Sequence, residues 1–268
     1  MSFGSLDSPN ISFIPIRRRM VGQSWESASV GRQDRGEKFV HDAYDTLILM
    51  NPKDLAPFLD LANHHADATF SDIEDICDKV KKYGFNAVFV NPCYVSFAKQ
   101  KMGAGGKVGT VVSFPLGQDS LDIKIAAAKV AAINGADELD VSLNVGLIKA
   151  GRWEESLAEM KHIVEVVKTI DEKKIVKFIL ETGYLTDDEI KKAAVLVLQS
   201  GADFVKTNSG MGPRGVIVKD VELIKQATEG KIKVKVAGGV DTYVEAMALI
   251  NAGAARIGTS KAVEIITS

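Results

Sequence analysis

Two lysines lie inside apolar runs in the last third of the chain. Lys206 lies in the segment FVKT, and Lys235 lies in the segment KVKVA. A lysine is seldom buried alone in a strand, because removing its ammonium group from water costs free energy. Pairing with Asp140 or Glu181, or extension toward solvent at the end of a sheet, would explain one such lysine about as well as chemistry does. Two of them on neighbouring strands, with a carboxylate nearby, favour chemistry.

The chemistry that such a pair supports is attack by an amine on a carbonyl carbon. The attacking amine must be neutral, whereas a free lysine, with a pKa of about 10.4, is almost wholly protonated at neutral pH. A second ammonium group nearby and partial desolvation both lower that pKa. One lysine can then form a Schiff base while the other supplies positive charge, and an aspartate can move protons at the carbinolamine and enamine steps. This combination is typical of a metal-independent aldolase.

Glycine-rich turns follow three successive candidate strands in the same part of the chain. Backbone N–H groups in such turns, together with a helix N-terminus, can bind a phosphate. A single turn of this kind is weak evidence, since turns favour glycine anyway. Three in succession predict a phosphate site that includes Gly210, Gly238, Gly239, Gly258 and Ser260.

The elements that must position these residues follow a regular alternation after Asn51-Pro52. Short, nearly continuous apolar runs, typical of strands buried on both faces, alternate with amphipathic stretches of helical period. Eight strands are predicted at 57–63, 86–91, 107–114, 136–143, 174–181, 202–207, 232–237 and 254–258. Six helices are predicted at 71–83, 120–134, 153–169, 186–200, 218–228 and 242–251. This order predicts an α/β fold, a single (β/α)8 TIM barrel, with an open doubly wound sheet as the alternative. No GxGxxG motif follows the first strand, which weakens the alternative.

Helix-end signals agree with this division. The segments Ser71-Asp72-Ile73-Glu74 and Thr186-Asp187-Asp188-Glu189 fit capping boxes. Glycines stand where a helix C-terminus needs a left-handed residue, at Gly84, Gly135, Gly201 and Gly253.

Composition restricts the class of protein. The chain has 268 residues, with 46% hydrophobic and 25% charged residues, as ordinary globular proteins do. A formal net charge of −2 predicts no general attraction to nucleic acid or to an anionic membrane. Cys77 and Cys93 are too few for a disulfide framework and fit a reducing, cytoplasmic location. No apolar run approaches the roughly 20 residues of a membrane span.

The first 50 residues differ from the rest of the chain. They are rich in Ser, Gly and Arg and have no sustained period, so residues 1–50 are predicted to form an N-terminal extension, partly disordered or packed on the barrel. Acidic residues dilute the cluster Arg17-Arg18-Arg19, which argues against a targeting segment. The barrel domain is expected to occupy residues 51–268.

Eight segments, in order along residues 59 to 262, resemble the motifs of the 2-deoxyribose-5-phosphate aldolase family, class I Schiff-base aldolases on a TIM barrel. The segments are LDLANHHADAT, FNAVFVNPCYV, SFPLG, GADELDVSLNVG, KFILETGYLTDDE, GADFVKTNSG, VKVAGGV and ARIGTS. The resemblance implies reversible cleavage of 2-deoxyribose 5-phosphate, a phosphorylated sugar, to glyceraldehyde 3-phosphate and acetaldehyde without metal or organic cofactor. It also implies a homo-oligomer.

The resemblance also implies roles for individual residues. By motif position, Lys206 matches the Schiff-base lysine, Lys235 the second lysine and Asp140 the proton-relay aspartate. Asp60 and Lys177 match further polar positions of the active site, which implies that they bind the substrate. The phosphate-loop positions match Gly210, Gly238, Gly239, Gly258 and Ser260.

The chain departs from the family pattern at several site positions. Ala62 replaces a threonine, the following Asn63-His64-His65 replaces a largely apolar stretch, and Phe89 replaces a cysteine. Asp241 stands where the family has an arginine, a change that Lys261 could offset. The tail has no tyrosine in its last eight residues.

These departures leave two alternatives open. One is a divergent paralogue with weak or no activity on this substrate and a role in binding an unidentified protein. The other is a Schiff-base aldolase for another phosphorylated sugar.

Two further features of the sequence, a pair of histidines and a cysteine, are not expected to take part in chemistry. His64 and His65 are adjacent at a strand end and would point to opposite sides, with no third ligand at a suitable spacing, so no metal site is expected. Cys93 has no recognisable base near it in sequence and is expected to be an inert thiol.

Overall fold

Eight parallel strands form a closed barrel, in which each strand pairs with the next and the last with the first. The structure, a computed structural model, describes residues 50–268. The predicted extension therefore lies, apart from Met50, outside the described residues. The strands are β1 Leu59–Asn63, β2 Ala87–Val90, β3 Val108–Val112, β4 Glu138–Ser142, β5 Ile175–Ile179, β6 Phe204–Lys206, β7 Lys233–Ala237 and β8 Arg256–Thr259. The pairing of β1 with β8, with Asp60 opposite Gly258, confirms the TIM barrel and rules out an open sheet.

Helices surround the strands. They are α1 Phe70–Tyr83, α2 Val95–Met102, α3 Leu121–Ile133, α4 Val145–Lys149, α5 Trp153–Ile170, α6 Asp187–Gln199, α7 Val218–Ala227, α8 Tyr243–Asn251 and α9 Ala262–Thr267. Within the described part of the chain, 3-10 helices occur at Pro52–Phe58, Pro92–Tyr94 and Thr182–Tyr184. No helix among residues 50–268 is both long enough and apolar enough to cross a membrane.

The structure corrects the predicted elements at three kinds of position. The first strand begins at Leu59 rather than at residue 57, because residues 52–58 form a 3-10 helix that starts with a proline. Helix α1 is capped by Thr69, whose side chain and Asp72 form the capping box, so the predicted cap at Ser71 is wrong. The capping box at Thr186 is confirmed. Helices α2, α4 and α9 were not predicted, since elements of five to eight residues carry little periodic signal.

Side chains on each strand alternate between the barrel interior and the helices. The outward residues form the apolar layer beneath the helices and are wholly buried, among them Val88, Leu139, Phe178, Val234 and Ile257. The inward residues are different, because the barrel interior holds buried lysines and carboxylates. Most of the hydrophobic core therefore lies between the barrel and the helices.

Strand register decides which inward residues meet. Asp140 on β4 is opposite Lys177 on β5, and Lys206 on β6 is opposite Lys235 on β7. Lys206 is also opposite Ile179, two residues beyond Lys177, so the β6 lysine lies nearer the carboxyl end of the barrel than the β5 lysine does. The barrel thus gathers lysines from three strands around the one aspartate of β4.

Candidate active site

Two lysine amines share one oxygen of Asp140. Lys206 Nζ donates a hydrogen bond to Asp140 Oδ2 at 2.9 Å, and Lys235 Nζ lies 2.9 Å from the same oxygen. All three side chains are buried, with exposed fractions of 3%, 1% and 0% in the order Lys206, Lys235 and Asp140. The three residues that the sequence singled out as a nucleophile, a second cation and a proton carrier are therefore in direct contact.

A second layer of charges supports this triad from below. Lys177 Nζ lies 3.0 Å from Asp140 Oδ1 and 2.6 Å from Glu138 Oε2. Lys235 Nζ lies 2.8 Å from Asp60 Oδ2. Three lysines thus face three carboxylates, and this pairing offsets the cost of removing the charges from water.

The electrostatic environment distinguishes the lysines. Desolvation by burial lowers the pKa of Lys206, and the charge of Lys235 lowers it further, against the opposing effect of Asp140. Burial also disfavours the charged form of Lys177, but Asp140 and Glu138 outweigh it and raise the pKa of that lysine. The neutral amine is therefore more accessible at Lys206 than at Lys177.

The carboxylates remain ionised for the complementary reason. Burial opposes the charge of Asp140, but Lys177, Lys206 and Lys235 together hold its pKa well below the ordinary value. Glu138 shows the same balance, with burial outweighed by Lys177 and Lys235, and its pKa is lowered as well. Both groups are therefore ionised at neutral pH.

Phe89 points into the barrel, as its position on β2 requires. Its ring centre lies 3.3 Å from Lys235 Nζ and 4.9 Å from Lys177 Nζ, so both ammonium groups contact its π face. The ring fills the space in front of Gly109 on β3. The aromatic residue at this position therefore forms part of the site floor.

A cavity of about 230 Å³ opens above these groups at the carboxyl ends of the strands. Lys206, Lys235 and Phe89 lie at its base, and all the predicted phosphate-loop residues line it, namely Gly210, Gly238, Gly239, Gly258 and Ser260. Asp140, Asp60 and Lys177 do not line it and are completely buried beneath. The structure therefore does not favour direct contact of Asp60 and Lys177 with a substrate, although the family resemblance implies such contact.

Two of the predicted phosphate loops touch one another. Gly210 and Gly238 have φ values of 91° and 93°, and a Cβ atom on Gly238 would lie 3.3 Å from the Gly210 Cα. Glycine at these positions satisfies both the left-handed backbone and the close approach of the two loops. The result is a surface of backbone on one side of the cavity.

Residues from outside the predicted set hold the loop after β6. Arg214 donates two hydrogen bonds to Asp220, at 2.7 and 2.8 Å, and one to the carbonyl of Thr182 at 3.2 Å. Glu181 Oε2 accepts from the Ser209 N–H at 3.0 Å. Sequence reasoning missed the Arg214–Asp220 pair, because neither residue ends an apolar run.

Asp241 lines the rim of the cavity beside the glycine loops. Its N–H, like that of Thr242, donates to Glu245 Oε2 at 3.0 Å within the capping box of α8. The predicted offset by Lys261 is wrong, because Lys261 does not line the cavity and its amine lies 3.2 Å from Glu264.

The carboxyl end of β1 and the loop that follows it bring Ala62, His64 and His65 to the wall of the cavity. Within residues 50–268, no group of three or more His, Cys, Asp or Glu side chains is arranged to hold a metal ion. Cys93 is exposed and does not line the cavity. His64 and His65, which the sequence marked as a departure from the family pattern, therefore line the cavity.

Comparison with known proteins decides the family. A model of the DeoC/LacD family aldolases matches residues 55–261, which include every strand and every candidate site residue. The chain belongs to the DeoC/LacD aldolase family. The match confirms the resemblance drawn from the eight sequence segments.

Curated relatives of this DeoC/LacD aldolase carry the name deoxyribose-phosphate aldolase. The protein of Carboxydothermus hydrogenoformans is 43% identical over 213 residues, which cover 79% of this chain and 93% of that protein. The protein of Thermococcus gammatolerans is 44% identical over 217 residues, covering 80% and 95%. Among solved structures, the deoxyribose phosphate aldolase of Aeropyrum pernix, described as tetrameric, superposes with a TM-score of 0.74 at 31% identity, covering 81% of this chain and 91% of that one.

Proposed function

We propose that this aldolase cleaves 2-deoxyribose 5-phosphate reversibly to glyceraldehyde 3-phosphate and acetaldehyde through a Schiff base on Lys206. The observation that carries the proposal is a buried amine that opens into the cavity while contacting Asp140 and the Lys235 ammonium group. The curated relatives carry the name of this activity.

Lys206 suits the nucleophile better than its two lysine neighbours do. Lys177 lies between Asp140 and Glu138 and does not reach the cavity. Lys235 reaches the cavity but contacts two carboxylates, Asp60 and Asp140. Lys206 contacts one carboxylate, and burial together with Lys235 lowers its pKa. It is therefore the cavity lysine with the fewest carboxylate contacts, which suits its amine to attack a carbonyl carbon.

The reaction begins when the neutral Lys206 amine adds to C1 of the open-chain sugar. The resulting carbinolamine loses water to form an iminium ion. The C2–C3 bond then breaks, its electron pair moves into the iminium to give an enamine, and the C3 hydroxyl loses its proton as glyceraldehyde 3-phosphate leaves. Protonation of the enamine at C2 and hydrolysis release acetaldehyde and free Lys206.

Asp140 is placed to relay these protons through Lys206 and Lys235, since one of its oxygens contacts both amines. The iminium nitrogen itself withdraws the electrons of the breaking bond, so the route calls on no metal or organic cofactor. The backbone around Gly210, Gly238, Gly239, Gly258 and Ser260 would bind the phosphate.

The test is reductive trapping. Wild-type protein treated with acetaldehyde and borohydride is expected to carry an ethyl adduct on the peptide that contains Lys206, and to cleave 2-deoxyribose 5-phosphate in a steady-state assay. The Lys206→Ala variant should lose both, whereas Lys173→Ala, which removes an exposed lysine, should retain both. An adduct that persists in Lys206→Ala would overturn the assignment.

We also propose that the chain pairs with a second copy through α3. Ile123, Val130 and Ile133 are 56%, 56% and 63% exposed among the described residues, and with Ala126 and Ala127 they form one apolar stripe along the helix.

The stripe is self-complementary. In an antiparallel pair of α3 helices, Ile123 of one copy would face Val130 of the other across the small Ala126 and Ala127. Asp122 and Lys129 flank one edge of the stripe, where an antiparallel arrangement brings opposite charges together. The tetramer described for the Aeropyrum pernix relative supports self-association.

A reducing compartment such as the cytoplasm would suit the free, exposed thiol of Cys93.

A further inference from the structure

His64 is a polar side chain in the cavity that the proposed mechanism does not use. It follows β1 and lines the cavity together with Lys206 and Phe89. Its Nδ1 atom is shielded from solvent and makes no hydrogen bond to any of residues 50–268. A desolvated ring nitrogen without a partner destabilises the free protein, and a ligand group that satisfies it recovers that loss on binding.

The surroundings of His64 hold its ring in place. The His65 N–H donates to Asn63 Oδ1 at 3.1 Å, and Asn91 Nδ2 donates to the His65 carbonyl at 3.4 Å, which ties the ends of β1 and β2 together. The imidazole packs on Phe114, with ring centres 5.3 Å apart. Lys206 Nζ lies 5.8 Å from the centre of the same Phe114 ring. His64 and the proposed nucleophile therefore contact one aromatic side chain from within one cavity.

The His64 ring is neutral at physiological pH. Burial lowers its pKa to about 3, and the charges of Lys206 and Lys235 act in the same direction, while Asp140 and the Asn91 side chain oppose them. A neutral imidazole presents one donor and one acceptor and carries no charge. It is suited to a hydroxyl group, whereas a phosphate is better held by a cation or by backbone N–H groups.

We propose that His64 is a substrate-binding residue whose imidazole hydrogen-bonds a hydroxyl group of the sugar while Lys206 holds the sugar's carbonyl carbon. This inference rests on the proposed function, because the cleaved sugar must be bound at Lys206. The hydroxyl in question is that of C3, the one nearest the Schiff base, and the bond orients it for loss of its proton as the C2–C3 bond breaks. His64 thereby contributes to the choice of a 3-hydroxyaldehyde over a plain aldehyde.

The experiment compares reactions with and without that hydroxyl. His64→Leu removes both ring nitrogens at similar size and is expected to lower kcat/KM for 2-deoxyribose 5-phosphate by about 10- to 100-fold. The rate of borohydride trapping of acetaldehyde on Lys206, which involves no hydroxyl group, should change by less than about twofold. His64→Gln, which retains a donor and an acceptor, should recover part of the lost kcat/KM. His162→Leu, which removes an exposed histidine of α5, is the matched control and should behave as wild type.

Unphosphorylated 2-deoxyribose, as a second substrate, distinguishes an effect on hydroxyl binding from an effect on phosphate binding. An equal fold-loss for both sugars in His64→Leu supports the proposal, and a loss confined to the phosphorylated sugar overturns it. Equal losses in cleavage and in acetaldehyde trapping also overturn it, because His64 would then act on Lys206 or on packing. If His64→Leu cleaves the sugar as wild type does, the role of His64 is overturned but the proposed function is not. If the wild-type protein neither traps acetaldehyde nor cleaves the sugar, the proposed function is overturned and this inference with it.

Discussion

Gly109 and Phe89 fit together across the β2–β3 pair. A Cβ atom at position 109 would lie 2.2 Å from the Phe89 ring, closer than any real side-chain contact. Gly109 is directly opposite Phe89 in the strand register, so the ring occupies the space that a methyl group at position 109 would need. The Phe89 ring can therefore form the floor of the site only because residue 109 on β3 is a glycine.

Gly109→Ala is expected to destabilise the protein by about 1–3 kcal/mol, because the added methyl group overpacks the barrel interior. In a Phe89→Leu background the same substitution should cost less, since the smaller side chain leaves room for the methyl group. Urea unfolding of the two single variants and the double variant measures this coupling. Additive effects would show that the two residues do not constrain one another.

Asp140→Asn is expected to destabilise the protein by about 3–5 kcal/mol at neutral pH, because it leaves buried lysines without their shared carboxylate. The folded-state pKa of Asp140 lies below its ordinary value, so its ionised form stabilises the fold above about pH 4. That contribution is lost as the pH falls through the folded-state pKa, and the difference between wild type and variant should shrink there. Urea titrations from pH 3 to pH 7 test this, with the exposed Asp67→Asn as control. A difference independent of pH would contradict the charge argument.

Lys235→Met is expected to raise the pKa of Lys206, because the charge of Lys235 is one of the causes that lower it. The amine of Lys206 would then become neutral only at higher pH, and the rate of acetaldehyde trapping should begin to rise at a more alkaline pH than in wild type. Lys235→Arg retains the charge and should leave the pH profile closer to wild type. A pH profile that is the same for the Met variant and wild type would refute this coupling.

Asp241→Arg is expected to improve binding of the phosphorylated sugar. A carboxylate near a phosphate opposes binding by about 1 kcal/mol at short range in water, which corresponds to about a fivefold change in KM. The KM for 2-deoxyribose 5-phosphate should therefore fall, while that for unphosphorylated 2-deoxyribose should not. If the two sugars respond alike, Asp241 does not face the phosphate.

The double variant Ile123→Glu, Val130→Glu is expected to be smaller in solution than wild type, because it places four carboxylates in the proposed α3 contact of each dimer. Light scattering after size-exclusion chromatography measures the mass. Lys161→Glu, on the exposed face of α5, is the control for an added acidic residue. A wild-type monomer, or a mass unchanged in the double variant, would overturn the α3 contact.

Much of this site could be predicted from the sequence because its signals are local. A lysine in an apolar strand such as Lys206 stands out against its neighbours, and glycines after three successive strands mark turns. Eight apolar runs separated by amphipathic helices predicted the barrel, and the pairing of β1 with β8 then excluded the open sheet that was its alternative. Helices α2 and α9, of eight and six residues, escaped prediction because short elements contain too few turns to show a period.

Tertiary structure decided what depends on residues far apart in the chain. Strand register placed Lys206 beside Lys235 and set Lys177 and Asp60 below the cavity. It also put Phe89 against Gly109. His64 is neutral because of burial and because of lysines on β6 and β7, which no local pattern around β1 reveals. The sequence determined which chemical groups the protein has and which strands carry them. Only the closed barrel decided which groups touch and which lose water, because charge interactions and desolvation depend on distance in space rather than along the chain.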